Sequence, residues 1–192
     1  MVYGIIKLIN FAHGDFIMVG AYALFFTVPI LKAAGVPAWL GVVAAVIVCA
    51  AVGMATELAA YRPVRKTGTN MTALITAIAV SLVLENLAQA IPAIGPNPRT
   101  VDSIFAAGGV SISGATLSWA TLITIIVSLV IMLVLYTFTR STKLGRAMRA
   151  VSEDKQAATL MGISVNSTIL ITFAIGAGLA GASAREHLEL GL

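Results

Sequence analysis

The stretch Leu117-Ser-Trp-Ala-Thr-Leu-Ile-Thr-Ile-Ile-Val-Ser-Leu-Val-Ile-Met-Leu-Val-Leu-Tyr-Thr-Phe-Thr139 holds no charged residue. A helix that crosses a bilayer needs about 20 apolar residues, and this stretch supplies them. A strand reading fails, because the stretch is too long and does not alternate polar with apolar residues. Four further blocks read the same way on either side of it. They run from Phe16 to Leu31, Ala38 to Thr56, Thr67 to Ile91 and Ser167 to Ala184. The expected fold is all-α, a polytopic membrane protein of about five transmembrane helices.

Composition supports this class and excludes others. Charged residues make up 10% of the 192-residue chain, against roughly 25% in soluble domains. Twelve Lys/Arg and eight Asp/Glu cannot cover a soluble globule of this size. A soluble enzyme, a nucleic-acid binder and a disordered chain are therefore poor readings. The single cysteine, Cys49, rules out an internal disulfide and a Cys-based zinc site. No secretory leader is expected, since His13 and Asp15 interrupt the start.

Basic residues alternate between loops. Arg62, Arg65 and Lys66 follow the second block; Arg140, Lys143, Arg146, Arg149 and Lys155 follow the fourth. The positive-inside rule puts these two segments in the cytoplasm. The segment from Pro92 to Gly114 is rich in Pro, Gly and Ser and reads as an external loop, with a turn or short strand near Gly108-Gly109.

Lipid is as apolar as leucine, so membrane helices associate through small residues that allow close approach. Gly41 with Ala45 and Ala51 with Ala55 have the required spacing, and the run from Gly176 through Gly178 to Gly181 is denser. That run is expected to face another helix.

Polar residues inside such helices point to pairing or to a pathway. Glu85 and Asn86 are the main case. Glu57 lies near the cytoplasmic end of its block, where Arg62 or water would meet it. Near the start, Asn10-Phe-Ala-His-Gly-Asp15 joins a short apolar piece to the first block. Gly14 is expected to break the helix and Asp15 to cap the next one. Two readings stand: an interfacial loop, or a broken helix whose N-terminus attracts a substrate carboxylate. His13 and Asp15 do not make a metal site, because two ligands close no shell, and no nucleophile accompanies them.

The segment Thr142 to Val165 is amphipathic. Asp154 would fall on the apolar face of one continuous helix, so two short helices are expected, the second from Glu153 to Met161. Ser152 is its expected cap and Gly162 its C′ residue. A two-turn helix needs a partner, either the membrane surface or a protein.

Two long runs resemble bacterial branched-chain amino acid ABC transporter permeases of the H type. The first is Tyr3-Gly-Ile-Ile-Lys-Leu-Ile-Asn-Phe-Ala-His-Gly-Asp15 and the second runs from Thr142 to Ile163, with Ala157, Ala158 and Gly162 matching the family's loop core. Arg62-Pro63 fits as well. The resemblance implies a multi-pass protein of the bacterial inner membrane that imports branched-chain amino acids. It favours the broken-helix reading, with Asn10, His13, Gly14, Asp15, Glu85 and Asn86 along the substrate pathway. It also implies an ATPase-coupling loop built from Arg146, Arg149, Glu153, Asp154, Ala157, Ala158 and Gly162. ATP would be used by separate ATPase subunits, and no cofactor is expected on this chain. A second permease subunit and a periplasmic binding protein are the other implied partners.

The family pattern has a further helix before the opening motif and several after Gly181. Residues 1–184 are therefore expected to form one incomplete permease domain, with 185–192 a divergent tail. The competing readings are an ATPase-independent channel for urea or amides, a membrane-embedded enzyme using His13 and Asp15, and a nonfunctional fragment.

Overall fold

The computed structural model describes residues 12–67, 70–92, 109–112 and 115–189. Helix α1 is His13–Ala33 and α2 is Leu40–Thr56. A π-helical turn, Glu57–Tyr61, leads without interruption into α3, Arg62–Thr67. Helix α4 is Asn70–Ala90. Strands β1, Gly109–Ile112, and β2, Ala115–Ser118, precede α5, Trp119–Ser141. Two short helices, α6 (Lys143–Glu153) and α7 (Lys155–Leu160), lead to α8, Val165–Glu189.

Five of these segments are long and apolar enough to cross a bilayer. They correspond to the five blocks, with shifted ends. The first starts earlier, at His13, and the last runs past Ala184 to Glu189. The second changes most, continuing from Leu40 to Arg65 as one span where a basic loop was expected after Thr56. The reason lies at its inner end. Glu57 and Tyr61 are buried against the protein, so helical geometry there satisfies the backbone while both side chains pack. Pro63 has no N–H for the carbonyl four residues back, and the π-turn widens the helix over that interrupted bond.

Hydroxyl groups inside the spans bond back to their own helices. Thr27, Thr56, Thr139 and Thr172 donate to the carbonyls of Ala23, Val52, Leu135 and Thr168 at 2.7–2.8 Å. This removes the cost of an unpaired hydroxyl away from water.

Helices α1, α2 and α8 form the compact centre, built on small residues. A Cβ added at Gly53 would meet the Ala177 Cβ at 2.5 Å, and one at Gly181 would meet the Ala45 carbonyl and Cys49 Sγ at 2.8 Å. Cys49 itself donates to the Phe16 carbonyl at 3.3 Å. Gly41 and Ala45 are buried in this bundle, whereas Ala51 and Ala55 face outward, so the second of the two pairs packs on nothing among the described residues.

The segment before α5 contributes one departure from an all-helical body. Strands β1 and β2 pair antiparallel, with Gly109 opposite Ser118 and Ile112 opposite Ala115. Ser118 then caps α5, its Oγ accepting from the Thr121 N–H at 3.1 Å.

Candidate functional site

Helices α6 and α7 dock on the end of the bundle that carries the π-turn. Thr142 caps α6, its Oγ1 accepting from the Gly145 N–H at 2.9 Å. Met148 and Val151 of α6 and Ala158 of α7 are buried together with Tyr61, Ala77, Ile169 and Phe173. The Tyr61 and Phe173 rings lie 5.0 Å apart. This cluster joins the π-turn, α4, α6, α7 and α8 at one place.

The break between α6 and α7 falls at Asp154, not Ser152. The Asp154 carboxylate accepts from the N–H groups of Gln156 and Ala157 at 2.7 and 3.1 Å. Ser152 instead bonds the Arg149 carbonyl within α6. An Asp on the continued apolar face would be buried without a partner, so the chain turns at that residue and uses its carboxylate as the cap. The expected helix Glu153–Met161 is accordingly Lys155–Leu160. Gly162 ends it at φ +78°, with Ile163 N–H bonding the Ala158 carbonyl and Gly162 N–H that of Thr159. This is the glycine-terminated Schellman arrangement.

Ala158 alone of α7 is buried. Arg146, Arg149, Glu153, Asp154, Ala157 and Gly162 are exposed. Leu160 and Met161 are 88% and 82% exposed, two large apolar side chains at the tip of a basic segment.

At the start of α1, Asp15 is not the cap. The helix begins at His13 after Ala12, with no side-chain cap, so Gly14 lies inside the first turn and does not break it. His13 and Gly14 are exposed, while Asp15 is buried. Its Oδ2 has no hydrogen-bond partner among the described residues. Asn10, and with it the proposed broken end, lies outside the described residues. Glu85 and Asn86 are exposed on α4, and Asn86 bonds the Leu82 carbonyl of its own helix at 2.7 Å. Phe16 and Leu84, the chain neighbours of Asp15 and Glu85, pack in one cluster, with Asp15 buried and Glu85 exposed.

Gly176, Gly178 and Gly181 are buried in α8. A Cβ at Gly178 would touch Val46 at 3.4 Å. Among the described residues no group of three or more His, Cys, Asp or Glu could hold a metal ion.

Sequence reasoning missed two features. Glu57 pairs with Arg65 rather than Arg62 or water; the spacing of eight gave no helical signal, and only Pro63 hinted at an irregular turn. It also missed a largely apolar cleft of about 440 Å³ between α5 and the outer ends of α2 and α8, lined by Val42, Thr124, Ser128, Leu179 and Ser183 among others.

Comparison with known proteins fits this arrangement. The family profile for the branched-chain amino acid transport system permease component matches residues 1–185. The chain is 37% identical to the high-affinity branched-chain amino acid transport permease BraD of Pseudomonas aeruginosa, over 96% of this chain and 62% of that one. It is 38% identical to LivH of Salmonella typhimurium, over 94% and 60% respectively. A probable branched-chain amino acid permease of Methanocaldococcus jannaschii is 26% identical over 90% of this chain and 54% of its own length. The chain therefore spans about three fifths of the curated relatives it matches. No solved structure matches. The chain is a multi-pass membrane protein and belongs to the branched-chain amino acid transport permease family.

Proposed function

We propose that the chain is a membrane-spanning permease subunit of an ATP-driven importer of branched-chain amino acids in the bacterial inner membrane. The observation that carries this reading is helix α7. It is anchored through Ala158 to the base of the bundle, yet leaves Leu160 and Met161 bare, while Arg146 and Arg149 of the preceding helix α6 are exposed as well. Exposed apolar residues framed by charge mark a protein contact. An ATP-hydrolysing subunit that closes on nucleotide would push on α7 and shift the bundle between outward and inward access. A second permease subunit and a periplasmic binding protein complete the proposed assembly.

Within the pathway, Asp15 is the group proposed for the substrate ammonium. A buried carboxylate oxygen without a partner favours a cation beside it. Glu85, exposed on α4 beside Leu84, which packs in the cluster with Phe16, remains a second polar group of the pathway. The substrate's aliphatic side chain would lie along apolar helix faces.

The test is copurification with the cognate ATPase subunit, using Leu160→Asp with Met161→Asp as the variant. The native chain is expected to retain the ATPase and the variant to lose it. Purification of an active native chain without any ATPase contradicts the reading and favours a channel.

A further inference from the structure

Residues eight apart on a regular α-helix stand about 80° out of line at roughly 100° per residue. Glu57 and Arg65 are eight apart, yet the Arg65 guanidinium meets the Glu57 carboxylate directly. The π-turn Glu57–Tyr61 lies between them. A π-turn takes up one residue more than an α-turn, so the pair stands as if about seven apart, roughly 20° out of line. The ion pair and the π register therefore require each other. Straightening the turn carries Arg65 off the shared face and separates the charges.

The pair is a poor device for stability alone. The side chains are 1% and 13% exposed for Glu57 and Arg65. Glu57 Oε2 and Arg65 Nε and Nη1 have no hydrogen-bond partner among the described residues. Apolar packing of the same volume is often at least as stabilising as a buried ion pair, and the best-attested use of such a pair is to fix one register over another. The arrangement fixed here is the one under α6 and α7. Tyr61, the last residue of the π-turn, packs in the same cluster as Met148, Val151 and Ala158. One to two turns up α2, Gly53 and Cys49 meet α8 and α1.

We propose that Glu57 and Arg65 are positioning residues for transport. They hold the π register of α2, and through Tyr61 that register joins the movement of α6 and α7 to the α1–α2–α8 contact. The direction of the signal, from ATPase to bundle, rests on the function proposed above. The mechanical link does not.

Amide hydrogen exchange on the full chain in lipid nanodiscs tests the link. Glu57→Gln is expected to speed exchange about tenfold or more, not only over 57–65 but also in Lys155–Leu160, which holds neither member of the ion pair. The swap Glu57→Arg with Arg65→Glu should return α7 to native protection. If Glu57→Gln fails to insert, Arg65→Gln carries the test, since it removes the same ion pair from the other side. Altered exchange in α7 then supports the proposal and native exchange there overturns it. A change confined to 57–65, or a folded swap that leaves α7 as in Glu57→Gln, also overturns it. With the cognate ATPase bound, Glu57→Gln should keep ATP hydrolysis while leucine uptake per ATP falls about tenfold. Failure of the native chain to bind any ATPase removes the ATP-driven reading and leaves the exchange result to decide the link.

Discussion

Helices α5 and α8 are both long and apolar, yet they sit oppositely in the fold. In the spanning part of α8, 56% of residues are buried inside the protein; in that of α5, none are. The more apolar helix is the less buried one. Hydrophobicity drives helices out of water, but between lipid and protein it decides nothing. What α8 has and α5 lacks is a run of Gly and Ala on one side. Gly176, Ala177, Gly178, Ala180, Gly181 and Ala184 let α1 and α2 approach closely. Helix α5 has no glycine, and Ile, Leu, Val and Met dominate it, with Thr124 and Ser128 at the cleft. It offers a rough, flexible surface suited to acyl chains; it borders α2 and α8 at the cleft and meets the buried cluster at its other end through Phe138.

The comparison breaks most sharply at Gly181. Gly181→Val would drive a side chain into the Ala45 carbonyl and Cys49 Sγ. We expect a loss of about 3 kcal/mol or more, read as unfolding in mixed micelles. A native-like value would show that close packing does not hold the bundle. A smaller effect is expected at the break between α6 and α7, where Asp154→Ala removes two capping bonds. The expected cost is about 1 kcal/mol, seen as faster amide exchange in α7 with the bundle unchanged. Least of all should follow on α5, where Val130 is 52% exposed. Val130→Ala should stay within about 0.5 kcal/mol. A large loss there would mean that α5 packs on protein in the assembled state.

The same contrast explains what the sequence made legible. Block length and absence of charge were enough for five spans, because a bilayer fixes both. The small-residue run of α8 and the glycine stop at Gly162 were readable because each is a local signal with one physical cause. The inner end of α2 was not. Its helix persists past Thr56 because Tyr61 packs on Phe173 and Glu57 on Arg65, and both contacts depend on the π-turn that aligns them. A basic run after an apolar block looks the same in a loop and in a helix. The break at Asp154 was off by two residues for a related reason. Ser152 and Asp154 are both competent caps, and the choice is made by which face Met148, Val151 and Ala158 must share. The start of α1 was misplaced because Gly14 weakens a helix without ending it when Phe16 and Ala12 are anchored in the bundle.

The central claim is that movement at α7 is converted into transport through the bundle. Its most direct measurement is leucine uptake into proteoliposomes holding the chain, its cognate ATPase and the remaining subunits, with and without ATP. The account predicts uptake against a gradient that needs ATP and is lost in the Leu160→Asp, Met161→Asp variant. Leucine or urea that equilibrates equally well without ATP, and is untouched by that variant, would contradict it.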